Sequence, residues 1–129
     1  MSDRIELFPT PGSVALARRW STELASRAGF GVEVDTVALL VSELVSNVVL
    51  HARTACELVV SVVGDVLRVE VRDGSNAMPT ETIQTDPMAL SGRGMVLIDA
   101  LSTTHGSEAL PGGGKLVWFE LQTLVEPPS

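Results

Sequence analysis

The hydrophobic period of this chain changes near Arg53, and that change constrains the fold more than any other feature. Before it, Asp35 to Arg53 reads as one long apolar helix with a single charge, Glu43, and an amide, Asn47, one turn later. After it, Cys56–Val63 is a valine-rich strand, Gly64-Asp65 a tight turn, and Val66–Asp73 a returning strand. Leu67, Val69 and Val71 share one face of that strand, and Arg68, Glu70 and Arg72 share the other. The alternation means one sheet face is covered and one is wet. Strands clustered after helices, with one face wet, point to an α+β two-layer α/β sandwich rather than a doubly wound parallel fold.

The remaining elements follow the same logic. Arg4 to Phe8 reads as a short first strand, closed by Pro9 and Pro11. Ser13 suits the N-cap of a helix running to about Ala28, with an apolar stripe of Val14, Ala17, Trp20, Leu24 and Ala28. Gly29 and Gly31 stop it, and the long second helix runs from about Val34 to His51. Residues 74–92 show little regular pattern and hold Pro79 and Pro87; so long a loop in a small domain is usually functional. A short helix from Gly94 to about Leu101 is expected next. A final hairpin then passes through Pro111-Gly-Gly-Gly114 into Lys115–Gln122, and residues 123–129 read as a tail. Trp20 and Trp118 are expected in the core, and Cys56 as a small core residue.

Composition limits the function classes. A chain of 129 residues, 45% hydrophobic and 19% charged, suits one globular domain. No uninterrupted apolar stretch approaches the roughly 18 residues that span a bilayer, and Asp3, Arg4 and Glu6 leave no room for a signal peptide. One cysteine excludes an internal disulfide and suits a reducing cytoplasm. A net charge of −7 argues against general nucleic-acid binding, and two distant histidines argue against zinc.

Three segments can carry chemistry. On the long helix, residues four apart share a face, so Glu43, Asn47 and His51 project from neighbouring turns. A solvated face would normally hold several Lys or Glu; this one holds a single carboxylate flanked by Ser42 and Ser46. A carboxylate beside a carboxamide can act as a general base next to an oxygen ligand for a hard cation; a half-exposed polar stripe is the plainer reading of the helix alone. Asp73-Gly74-Ser75 ends a strand in a carboxylate, which can accept a hydrogen bond from an exocyclic amine or simply form a turn. Ser91-Gly92-Arg93-Gly94-Met95 opens a helix whose free N–H groups and glycines suit a phosphate, with Arg93 as a charge-assisted donor. It is neither a P-loop nor a dinucleotide fingerprint.

In this order the segments resemble the ATP-binding domain of the GHKL superfamily, with its Bergerat fold and a mixed, mostly antiparallel sheet covered on one face by helices. The nearest resemblance is to small bacterial anti-sigma-factor serine kinases of partner-switching systems. Residues 42–52 are similar to that family's N box, residues 69–79 and 92–98 to its two glycine-box regions, and residues 113–119 to its closing strand. The resemblance covers about residues 13–122.

The resemblance implies roles. Asn47 would ligate Mg²⁺, Glu43 would be the catalytic base, and Asp73 would take the adenine amine and so select ATP. Gly92, Arg93 and Gly94 would line the triphosphate, with residues 74–92 as a lid. Ser75, Met95, His51 and Lys115 are further nucleotide-side candidates; Lys115 either reaches a phosphate or is solvated. The implied partners are an anti-anti-sigma antagonist and a sigma factor, with a homodimer allowed and no direct nucleic-acid or membrane partner.

Two departures bear on nucleotide affinity. The run Asp73-Gly74-Ser75-Asn76-Ala77 lacks the family's second alternate glycine. Leu116 is matched to a threonine near the adenine, and losing that hydroxyl removes a bond worth about 1 kcal/mol. Two other readings therefore stay open: a binding module without phosphate transfer, and an ATPase or histidine-kinase catalytic fragment.

Overall fold

A computed structural model describes residues 1–75 and 97–123. The elements in chain order are β1 (Ser2–Leu7), α1 (Gly12–Arg27), α2 (Val34–Asn47), a π-helical turn (Val48–Ala52), β2 (Cys56–Val63), β3 (Val66–Asp73), β4 (Thr104–Ala109) and β5 (Lys115–Gln122). Residues 97–101 are helical, which accounts for the C-terminal half of the short helix expected there. The rest of that helix, most of the 74–92 loop and nearly all of the tail lie outside the described residues.

The strands form one five-stranded sheet in the order β1-β2-β3-β5-β4. Each of the four described pairings is antiparallel, so the mixed sheet anticipated above has no parallel pair among the described residues. Period-two alternation sends Leu58, Val60, Leu67, Val69, Val71, Val117, Phe119 and Leu121 to one face, where all are buried. The same core takes Ala17, Leu24 and Ala25 of α1 and Val37, Leu40, Val41, Leu44 and Val45 of α2. The fold is thus the α+β sandwich, one layer of helices on one layer of sheet. The stripe expected on α1 packs inward: Ala17 and Leu24 are buried, and Val14, Trp20 and Ala28 are partly buried against the core.

Local chemistry explains where the sequence expectations shift. Ser13 is not the N-cap. Helix α1 starts at Gly12 behind Pro11, with no side-chain cap, and the buried Ser13 hydroxyl donates to the Phe8 carbonyl at 2.7 Å. Proline's fixed φ initiates the helix in its place. The long helix is α-helical only to Asn47, because the chain widens into the π turn and ends at Arg53 in the left-handed region, φ 55°.

Taken together, Val34–Ala52 is long and apolar enough to cross a membrane by length and composition, although Asp35, Glu43 and Asn47 interrupt its apolar run. A core helix passes the same test, and the buried residues of α2 pack into this core.

Trp118 is not a core residue. It sits half-buried on the outer sheet face, with the Arg68 guanidinium 4.1 Å from its ring centroid. Cross-strand pairing sets Arg68 opposite Glu120 and Glu70 opposite Trp118. Arg68 Nε donates to Glu70 Oε2 at 2.8 Å and its Nη1 to Glu120 Oε2 at 3.2 Å, while Arg72 Nη2 donates to Glu70 Oε1 at 2.8 Å. Burial alone would raise the Glu70 carboxyl, but the hydrogen bonds and charges of Arg68 and Arg72 outweigh it and hold the group below the ordinary range.

Candidate nucleotide site

Glu43 and Asn47 stand one turn apart near the C-terminal end of α2, and Asn47 closes its α-helical part. Apolar neighbours Leu44, Val45 and Val48 turn into the core and hold this side of the helix against the sheet. Glu43 Oε2 and Asn47 Oδ1 are both buried, and among the described residues both lack a hydrogen-bond partner. Leaving a buried polar atom unpaired costs about 1–3 kcal/mol, so such atoms call for a ligand. The donor set fits a hard cation: a neutral carboxamide oxygen beside an anionic oxygen is what Mg²⁺ accepts. Ser42 is otherwise engaged, its hydroxyl donating back to the Ala38 carbonyl at 2.6 Å.

His51 lies in the π turn that follows Asn47 and is exposed.

Asp73 ends β3 on the inner face, its side chain only 1% exposed. The Ser75 backbone N–H donates to Asp73 Oδ1 at 2.8 Å, and the Gly74 N–H donates to Thr54 Oγ1 at 3.1 Å. These two bonds fix the turn that follows the carboxylate. Thus Ser75 enters the site through its backbone. Cys56 is paired with Asp73 in the sheet register. Burial, with the Asp73 charge adding to it, pushes the Cys56 thiol up to about 11.

Lys115 lies directly across the β3/β5 ladder from Asp73, and its ammonium is 3.5 Å from Asp73 Oδ2. Its side chain is 12% exposed, so it is not a solvated lysine. The same register puts Leu116 opposite Arg72, on the outer face. Leu116 therefore lies on the opposite sheet face from Asp73. Lys115 is the inner-face residue at this end of β5. The contact was not legible in the sequence, because it depends on which residue of a distant strand falls opposite Asp73.

Sequence reasoning also missed Glu33. It is buried at the start of α2 with both carboxylate oxygens unpartnered among the described residues, and an acidic residue between Val32 and Val34 gives no signal of that. Gly92, Arg93, Gly94 and Met95 lie outside the described residues.

With this arrangement in view, comparison with known families decides the class. The family model of the histidine kinase-like ATPase domain matches residues 7–120. The chain belongs to this family. The match spans every described element except the first residues of β1 and the last of β5. It supports an ATP-binding, GHKL-type domain, in accord with an α+β sandwich that leaves buried oxygens on α2 and a buried carboxylate at the end of β3. No curated protein matches the chain significantly.

Proposed function

We propose that this histidine kinase-like ATPase domain is a serine protein kinase of anti-sigma type, working in the cytoplasm as one domain on a small antagonist protein of the anti-anti-sigma class. The observation that carries the reading is the pair of buried, unpartnered oxygens, Glu43 Oε2 and Asn47 Oδ1, one helical turn apart. A helix that only had to pack would not leave both unsatisfied.

The chemistry follows from these positions. Asn47 Oδ1 would hold Mg²⁺, which when bound neutralises phosphate charge. Asp73 would accept the base amine and so fix the depth of the nucleotide. The Glu43 carboxylate would take the proton from the substrate serine hydroxyl as its oxygen bonds to the γ-phosphorus and the bond to the ADP oxygen breaks. Holding donor and acceptor in line supplies most of the acceleration, because the transferred group has little covalent demand on the protein. Binding of the antagonist and of a sigma factor would be mutually exclusive, and a homodimer is compatible with the reading.

Transfer of labelled γ-phosphate from ATP to the antagonist, by wild type and Glu43→Ala, tests this. Transfer by wild type that the variant loses supports the kinase; no transfer by either sinks it. The second reading, a partner binder without phosphate transfer, draws on the Lys115–Asp73 ion pair, which competes with a nucleotide for the carboxylate. Partner binding with no transfer would favour it.

A further inference from the structure

We infer that the outer edge of β1 is an interaction surface for a second copy of this chain, joined antiparallel about a two-fold axis at Ile5 into one continuous sheet. The inference stands apart from the nucleotide reading, because none of its residues belongs to that site. β1 ends the strand order, and Ser2, Asp3, Arg4 and Glu6 are exposed. It pairs with β2 without a bulge and carries neither proline nor lysine, common guards of an edge. Met1 and Val62 exchange both ladder bonds: the Met1 ammonium donates to the Val62 carbonyl at 3.3 Å, and the Val62 N–H to the Met1 carbonyl at 2.9 Å. Alternation then turns the backbone N–H and C=O groups of Ser2, Arg4 and Glu6 away from β2, where another strand can take them.

Charge selects a second copy and fixes the register. An axis normal to the sheet keeps both helix layers on one side, so outer-face residues meet outer-face residues and the axis passes through a residue of β1. With the axis at Ile5, each Arg4 faces Glu6 of the other copy, Ile5 meets Ile5, and Asp3 meets Leu7. Both Arg4–Glu6 pairs fall where the backbone groups point outward, so each couples an ion pair with its ladder bonds. An axis at Asp3, Arg4 or Glu6 sets that residue against itself as a like-charge pair, and one at Ser2 or Leu7 leaves little overlap. Within one copy Glu6 lies opposite Glu57, and Arg4 reaches Glu57 at 3.7 Å, so Glu6 has no ion-pair partner among the described residues. The second copy supplies one. Beyond the strand, the exposed Phe8 comes beside the exposed Met1 of the second copy. The opposite edge, β4, has no such match: Glu108 and His105 lie on different faces and cannot meet.

The test is sedimentation equilibrium of the full chain over a series up to about 1 mM. A seam of one strand pair is small, so wild type is expected to dimerise weakly, with a dissociation constant of about 1–100 µM. Arg4→Glu and Glu6→Arg each set like charges opposite one another in both pairs and are expected to weaken the dimer about tenfold or more. The double variant Arg4→Glu/Glu6→Arg re-forms both pairs with the signs exchanged and is expected to return to within a few-fold of wild type.

A wild type that stays monomeric over the series, a dimer whose constant neither reversal changes, or a double variant as weak as the single ones overturns the inference. Circular dichroism identifies a reversal that has not folded. Arg4→Gln and Glu6→Gln then replace it, each expected to weaken the dimer by less than a reversal, and an unchanged constant in both overturns the inference equally.

Discussion

Glu43 Oε2 and Asn47 Oδ1 are buried oxygens on adjacent turns of α2, and neither has a hydrogen-bond partner among the described residues. The pair separates two roles that a single substitution in each can expose. Asn47→Ala removes the cation ligand and should weaken Mg-dependent nucleotide binding. Glu43→Gln should leave binding within a few-fold and slow transfer by about 10²-fold or more, the usual contribution of a general base. Calorimetry and a phosphotransfer assay on the two variants measure both. Neither change should lower stability by much, since each removes or neutralises a group the fold leaves unsatisfied.

The outer sheet face should carry an acid-sensitive part of the stability. The folded Glu70 carboxyl is held below its ordinary value, so the folded state binds fewer protons than the unfolded state between the two values. Its contribution is therefore complete above the unfolded carboxyl range and is lost as the pH falls through the depressed folded value. Urea midpoints measured from neutral to acid pH should fall less steeply for Glu70→Gln than for wild type. Arg68→Ala, which removes two carboxylate contacts and the stacking on Trp118, should cost about 1–2 kcal/mol.

Cys56 should behave as an inert thiol. With its pKa pushed up to about 11, it stays protonated well past neutrality and should alkylate slowly in the native protein and quickly in urea. The raised value stabilises the fold fully below the unfolded thiol pKa, and this stabilisation is lost as the pH rises through about 11. Asp73→Asn removes one of the two causes of the shift, so it should lower the thiol pKa, which thiolate absorbance reports directly.

Two glycines should resist alanine for different reasons. Gly114→Ala meets rigid backbone at a positive φ and should cost about 2 kcal/mol or more. At Gly106 an added Cβ would lie 2.7 Å from the Trp118 ring, so Gly106→Ala should displace the indole from Arg68 and change its fluorescence, with a smaller loss of stability.

The parts of the fold legible in the sequence are those set by period. Alternation in Val66–Asp73 assigned its faces correctly, and the helical spacing of Ala17, Trp20 and Leu24 gave the buried stripe of α1. What was not legible depends on register or on neighbours distant in sequence. Trp118 carries an aromatic ring suited to a core, yet the β3/β5 pairing puts it beside Arg68 on the outer face. Leu116 and Lys115 exchange importance by a one-residue parity that only the pairing with Asp73 decides. Similarly, the π turn that holds His51 has no period of its own to read.

The most direct test is thermal unfolding of wild type and Asp73→Asn with and without Mg-ATP. At about 100 times its dissociation constant a ligand adds roughly 2.7 kcal/mol, enough to raise the midpoint of a domain this size by several degrees. A rise in wild type that Asp73→Asn largely loses is the result expected of a nucleotide site built on this carboxylate. An unchanged midpoint in wild type at millimolar Mg-ATP, or an equal rise in both proteins, would contradict it.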